Sequence, residues 1–244
     1  MRPGLALQEQ KSRLSGRAKR DNLVTPQPHR SIIAHYEDCL RSHGDGARAV
    51  DWKSAEDAAR RYDVMLGLVR DPAHPASLLD FGCGLGALRA HAERAGFGAL
   101  RYTGLEASAE FAMAARSRNP GTEILRLDVL AEGAVLPDFD YIVMNGIFTR
   151  RQDLTVPAME QYMQRLLAVL FKSCRVGLAF NVMSKFVDWE GEALFHPDPG
   201  ALLTFIGATL TRHFVLRNDY GLHETTFYLY REPGPFNRDQ RPGP

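Results

Sequence analysis

The sequence predicts an α/β fold built on a doubly wound, mostly parallel sheet, and three observations carry that prediction. Short apolar runs alternate with helical periodicities through the middle of the chain, as stacked βαβ units do. One of those runs, Leu78-Leu79-Asp80-Phe81, passes directly into a glycine-rich turn and then a helical pattern. The last two apolar runs are rich in β-branched and aromatic residues and flank a short turn-like segment at Asp219–His223, which reads as an antiparallel hairpin added to the sheet.

In chain order, residues 1–30 carry seven Lys/Arg against two acids and close on Pro26 and Pro28. They read as a disordered basic tail or an upstream start, with a transit peptide or a nucleic-acid-binding arm as alternatives. A helical lid is expected over 31–70, ahead of the core. Within it Ser54, three residues before Asp57, starts a helix over Ala55–Val69. The strands follow at Ser77–Phe81, Tyr102–Glu106, Glu123–Leu127, Phe139–Met144 and Val176–Asn181. Helices are expected at Ala87–Ala95, Ala109–Arg116 and Met159–Ser173, the last with Met163, Leu166, Leu167, Leu170 and Phe171 on one face. Arg212–Asn218 and Thr225–Tyr230 form the closing hairpin. One domain therefore spans 31–231, and the Pro/Gly-rich stretch 232–244 is expected to be a loose tail.

Composition narrows the function. At 244 residues, 45% hydrophobic and 24% charged, the chain is neither disordered nor collagen-like. Beyond residue 30 it holds 23 basic and 27 acidic residues, a slightly acidic body that argues against nucleic acid as a partner. Three widely spaced cysteines, Cys39, Cys83 and Cys174, offer neither a disulfide framework nor a zinc spacing and suit a reducing, cytoplasmic compartment. The apolar runs fall short of the roughly 20 residues of a membrane span, and no secretory signal follows the basic start.

The most informative segment is Leu78-Leu79-Asp80-Phe81-Gly82-Cys83-Gly84-Leu85-Gly86-Ala87-Leu88. Glycines at alternate positions let backbone amides approach a ligand, and the helix behind them favours negative charge. The dinucleotide fingerprint wants its third glycine one place later. An acid at the strand end, Asp80, instead suits a ligand bearing an amine as well as a carboxylate. Glu106 ends the second strand, where a carboxylate can take both hydroxyls of a ribose. Asp128 follows the third strand, where an acceptor could meet an adenine amino group, and Asn145 closes the fourth. Each alone is a common cap or loop residue; in this order they should converge on one crevice at the carboxyl ends of the strands.

LLDFGCGLGAL, YTGLEAS, LRLDVL, FDYIVMNGIF and VGLAFNVMS together resemble the successive motifs of class I S-adenosylmethionine-dependent methyltransferases. The resemblance covers about residues 31–231. It implies a Rossmann-like seven-stranded sheet in the order 3-2-1-4-5-7-6 and S-adenosyl-L-methionine as cofactor. It further implies that Asp80, Gly82, Cys83 and Gly84 hold the methionine end, Glu106 and Ala107 the ribose, and Asp128 and Val129 the adenine. Asn145 would border both the sulfonium and the substrate. The segment from His35 to Trp52 is similar to the start of small-molecule methyltransferases of bacteria, which makes Tyr36, Trp52 and Arg61 candidate contacts to the cofactor or lid; an aromatic pair packing one helix on another is the alternative.

The acceptor is constrained mainly by what the fourth strand lacks. Asn145-Gly146-Ile147-Phe148 has no Asn/Asp-Pro-Pro-aromatic turn of the kind used on nucleobase or glutamine nitrogens. Asp140 and a lone Asn145 do not make a metal-binding cluster, so no metal is expected. A small-molecule acceptor methylated on oxygen or nitrogen is the expectation, with Phe148, Arg150, Lys185 and Tyr220 as substrate contacts. Arg150 or Lys185 would suit an acidic group, and His196 could serve as a general base. The competing expectation is a non-catalytic binding or partner subunit that keeps the fold, with a nicotinamide-dependent oxidoreductase disfavoured by the glycine spacing.

Overall fold

The computed structural model describes residues 29–44 and 46–234. The expected basic tail up to residue 28, and residues 235–244 of the Pro/Gly-rich stretch, lie outside the described residues. Seven strands form one sheet: β1 (Ala76–Phe81), β2 (Leu100–Glu106), β3 (Glu123–Arg126), β4 (Phe139–Phe148), β5 (Cys174–Met183), β6 (His213–Arg217) and β7 (Glu224–Tyr230). Their order is β3-β2-β1-β4-β5-β7-β6. Pairs among β1 to β5 are parallel, and β7 runs antiparallel between β5 and β6. This is the sheet that the family resemblance implied.

Within the sheet the path starts at β1, steps outward to β3, returns to β4 and steps outward the other way. The strand order reverses between β1 and β4, so right-handed crossovers put the helices of the first half and those of the second half on opposite faces of the sheet. With both faces covered, β1 buries nearly every residue. Its alternation decides which core each side chain joins. Leu79 packs with Met163, Leu167 and Leu170 from α5 (Val156–Lys172). Leu78 packs with Val64, Met65 and Leu88 from α2 (Ala55–Leu66) and α3 (Ala87–Arg94).

Capping explains where the helices begin. The Ser54, Ser108 and Thr155 hydroxyls accept from the amides of Asp57, Phe111 and Ala158, starting α2, α4 (Ala109–Arg118) and α5. Helix α6 (Pro199–Phe205), continued by a π turn to Leu210, has no counterpart in the sequence reading. Its start signal is nonetheless present: Asp198 accepts from Ala201 N at 2.7 Å and Pro199 opens the helix. Helix α1 (His29–His43) begins two residues before the expected domain boundary, so the folded chain reaches into the stretch read as tail. Arg70 donates to the carbonyls of Pro233 and Glu232, which ties the first residues after the hairpin to the body.

One strand differs from expectation in a way that matters to the site. β4 does not stop at Met144 but continues to Phe148, with a register shift between Met144 and Phe148 and Gly146 at φ 83°. The irregularity turns Phe148 inward. Its ring is fully buried, edge-on to Tyr162 and Phe180, so the expected substrate contact is a core residue instead.

Phe180 stacks on Phe227 at 5.1 Å and lies in the same core. Phe180→Ala is expected to cost about 3–5 kcal/mol, the price of lost burial plus a cavity, measured as a lower midpoint in urea unfolding at unchanged slope.

Candidate active site

A cavity of about 380 Å³ opens at the carboxyl ends of β1, β2 and β4, where the reversal of strand order leaves a crevice. Its floor is the glycine loop. Gly82 N and Cys83 N donate to Leu105 O at 2.8 and 3.1 Å, which holds the loop against β2. Gly84 N donates to the Glu106 carboxylate at 3.1 Å, and Ser108 N donates to its other oxygen at 3.0 Å. Two positions require glycine. At Gly82, φ is 69° and a Cβ would lie 2.3 Å from Ile147 Cδ1; at Gly84, φ is 55° and a Cβ would lie 3.1 Å from Val50 Cγ1. Helix α3 starts from Gly86 with no side-chain cap, so its leading amides are not consumed by the protein's own side chains.

The acids on the floor are poised by burial. Burial pushes the Asp80 carboxyl up to about 7; the Tyr102 hydroxyl, donating at 2.7 Å, works against that rise, and the nearby Glu106 charge adds to it. Burial also raises Glu106, opposed by the amides of Ser108, Gly84 and Ala107. Asp128 accepts from Leu130 N at 3.0 Å and pairs with His29 Nε2 at 3.2 Å. The His29 ring stacks on Tyr162 at 5.6 Å, and its Nδ1 is buried with no partner.

At the other end lie Asn145, Gly146, Ile147, Trp52 and Tyr62. A buried polar chain stands behind them. Arg61 pairs with Glu224 through Nε at 2.8 Å and through a second guanidinium nitrogen. Asn181 Nδ2 donates to Glu224 at 2.6 Å, and Asn181 Oδ1 accepts from Gly146 N at 2.7 Å. Asn145 Nδ2 and one Arg61 guanidinium nitrogen are buried without partners.

The roof is α1 with the turn at Ala47–Val50 and α2. Tyr36 lines the cavity, its hydroxyl raised to about 12 by burial while hydrogen-bonded to Thr149. The roof is tied down by Ser108 Oγ donating to Glu37 at 2.6 Å and by the Arg41–Glu110 pair at 2.6 Å.

The fold brings most of the sequence-selected residues together. Asp80, Gly82, Cys83, Gly84, Glu106 and Ala107 line the cavity, as do Asp128, Val129, Asn145, Tyr36 and Trp52. It does not bring the others there. Arg61 sits behind the wall, its guanidinium 5.4 Å from the Trp52 ring centroid. Arg150 is bound to Asp51, and Lys185 pairs with Glu190 at 2.6 Å. Tyr220 shares a hydrogen bond with Thr226 at 2.9 Å. His196 is buried away from the cavity and donates Nδ1 to Ser184 O at 2.7 Å, leaving Nε2 inward and unpartnered. Asp140 lies at the opposite end of β4, bonded to Ser77 and Arg175.

Sequence reasoning missed His29, Tyr62 and Tyr162 on the cavity wall. Tyr162 stands one helical turn before Leu166 on the apolar face of α5, a detectable signal. His29 fell within the polar stretch read as tail.

A family model described as a methyltransferase domain matches residues 79–170. A Mycobacterium tuberculosis protein named "Putative methyltransferase Rv1506c" is 31% identical over 159 residues, which is 64% of this chain and 94% of that protein. The chain belongs to the class I S-adenosylmethionine-dependent methyltransferases.

Solved structures repeat the methyltransferase fold. The magnesium protoporphyrin IX methyltransferase of Synechocystis PCC 6803 aligns with 83% of this chain and 99% of its own, at 14% identity and a TM-score of 0.59. CalS10, an amino pentose methyltransferase from Micromonospora echinaspora, aligns over 81% and 97%, at 16% identity and 0.51. The methyltransferase cofactor presents an ammonium, a carboxylate, ribose hydroxyls and an adenine. The cavity offers a matching set: a buried acid short of a counter-charge, a glycine floor that a Cβ would fill, a pre-bonded carboxylate at Glu106, and Asp128 paired with His29.

Two expectations follow for this methyltransferase. Gly84→Val forces a β-branched residue to φ 55° against Val50, a strain of about 1–3 kcal/mol; S-adenosylhomocysteine affinity should fall by roughly tenfold or more in calorimetry. Asp80, raised from 3.8 to about 7 on folding, favours the protonated folded state. Its contribution is complete below pH 3.8 and lost as pH rises through about 7. Ligand-free Asp80→Asn should therefore lose less stability than the wild type between about pH 4 and 7, read by urea unfolding across that range.

Proposed function

We propose that this methyltransferase moves a methyl group to an oxygen or nitrogen of a small-molecule acceptor. The observation that carries the reading is the roofed cavity itself: the glycine floor and the Asn145–Trp52 end share one pocket beneath α1 and α2. A concave pocket with mostly apolar walls suits a compact acceptor, whereas a nucleic acid would need a basic groove. The three cysteines are unpaired in the fold, in keeping with a cytoplasmic setting.

S-adenosylmethionine supplies an electrophilic methyl group on a sulfonium. The residues of this chain do the rest. In the proposed assignment, ionised Asp80 holds the amine of the methionine end, and Gly82 and Gly84, where a Cβ would intrude, let that end lie against the loop backbone. Glu106, already oriented by two backbone amides, accepts from the ribose, with Ala107 beside it. Asp128 and Val129, flanked by His29 and Tyr162, receive the adenine. Tyr36 and Trp52 exclude water from above, and Arg61 acts through Glu224 and Asn181 to hold the Gly146 turn.

Asn145 is the residue assigned to the acceptor. It lines the cavity, and a rotation of its side chain would bring the buried, unpartnered Nδ2 to the acceptor's heteroatom; in-line displacement gains most from orientation. His196 has no part in this assignment, because its free nitrogen is buried outside the cavity.

A thermal-shift titration tests the cofactor end. S-adenosylhomocysteine at about 100 times its Kd should add roughly 2.7 kcal/mol, a rise of a few degrees in Tm, and nicotinamide dinucleotide should add nothing. Incubation of the protein with methyl-labelled S-adenosylmethionine and a metabolite extract should label small molecules. Asn145→Ala should lower that labelling by about 10²-fold with S-adenosylhomocysteine affinity little changed. Label in RNA or protein only, or in nothing, would reject the small-acceptor assignment.

A further inference from the structure

Outside the cavity, a group of side chains drawn from two elements of the roof has a geometry with no role in methyl transfer. His35 and Cys39 stand four residues apart on one face of α1, and Asp51 closes the turn that follows Ala47–Val50. One ligand atom from each lies within 4.8 Å of the others, the one such grouping found among the described residues. His35 Nε2 is 3.3 Å from Asp51 Oδ2, and Cys39 Sγ is 3.7 Å from His35 Nε2.

The two separations that involve His35 match edges of a coordination tetrahedron, and Cys39 and Asp51 lie within 4.8 Å of each other. With Zn–N of about 2.05 Å, Zn–O of about 2.1 Å and Zn–S of about 2.3 Å, tetrahedral angles set the N···O edge at about 3.4 Å and the N···S edge at about 3.6 Å. We propose that His35, Cys39 and Asp51 form a three-ligand site for a zinc-type divalent cation, with water in the fourth position. The donor set, one imidazole, one thiolate and one carboxylate, selects a borderline-soft ion over magnesium or calcium.

Arg150 pairs with Asp51 at the same oxygen that faces His35. A carboxylate has two oxygens, so Arg150 can keep one while the other turns to the metal. An outer hydrogen bond of this kind orients a ligating carboxylate. On binding, the Cys39 sulfur coordinates as the thiolate and its proton passes to solvent. Asp51 sits at φ 57°, a left-handed conformation that aspartate tolerates.

The consequence is mechanical. Tyr36, next to His35, and Val50 and Trp52, on either side of Asp51, all line the cavity. A metal held by these three side chains would clip α1 to the following turn and fix the roof. The three ligands are distant in sequence spacing from any zinc motif, which is why the spacing of the cysteines suggests no site.

The test uses the untagged, reduced, chelator-treated full chain. Cobalt(II) should bind one per chain with a thiolate-to-cobalt charge-transfer band and intense tetrahedral d–d bands, all displaced by zinc. Cys39→Ser should abolish the charge-transfer band, and His35→Ala should weaken cobalt binding at least tenfold. Absence of the band in the wild type, or its survival in Cys39→Ser, would overturn the site. A second readout needs no variant. Cys39 is the one cysteine that is not buried, so zinc should slow its reaction with a thiol reagent at least tenfold, and an unchanged rate would refute the proposal.

Discussion

The Glu106 carboxylate holds the glycine loop in place before any ligand does. It sits at the end of β2, nearly excluded from solvent, and takes one backbone amide from Gly84 and one from Ser108. A buried carboxylate is tolerable only when hydrogen-bonded in this way, and the two bonds fasten the loop after β1 to the start of α4. The floor of the cavity, the first turn of α3 and the roof tie from Ser108 to Glu37 all depend on that one group. Because the amides are paired to an acid rather than left open, the floor keeps its shape while the outer edge of Glu106 still faces the cavity.

A second buried acid organises the opposite wall. Glu224, 3% exposed, joins α2 to the sheet through Arg61 and reaches Asn181 on β5. Asn181 in turn fixes the amide of Gly146, at the irregular point of β4. Buried ion pairs of this kind contribute little net stability against apolar packing. What they supply here is position: the roof helix, the Asn145 side chain and the closing hairpin are held in one register. Arg61, expected as a contact to the cofactor or lid, pairs with Glu224 behind the cavity wall.

Much of the fold was legible because buried parallel strands and amphipathic helices announce themselves through periodicity. Leu78-Leu79-Asp80-Phe81 reads as a covered strand because a glycine turn ends it and a helical pattern follows, and α5 shows its stripe from Met159 to Phe171. The site was legible where residue type and strand end coincide: Asp80, Glu106 and Asp128 must point into the crevice once the sheet is parallel and its order reverses at β1. The substrate side was not legible. Arg150, Lys185 and Tyr220 looked available because they are polar loop residues, yet Asp51, Glu190 and Thr226 already hold them. Sequence spacing carries no information about which surface charge meets which.

By itself, then, the sequence determined most of the elements and which acids end the parallel strands, since these follow from local propensity and burial periodicity, while the order of the sheet came from the family its motifs resemble. The tertiary structure decided what long-range packing alone can set. It buried Phe148 through a shift of register at Gly146, turned His196 away from the cavity, drew His29 out of an apparent tail onto Asp128, and placed His35, Cys39 and Asp51 within one another's reach. Each of those outcomes depends on side chains far apart in the chain meeting in a particular register, and no local pattern encodes that distance.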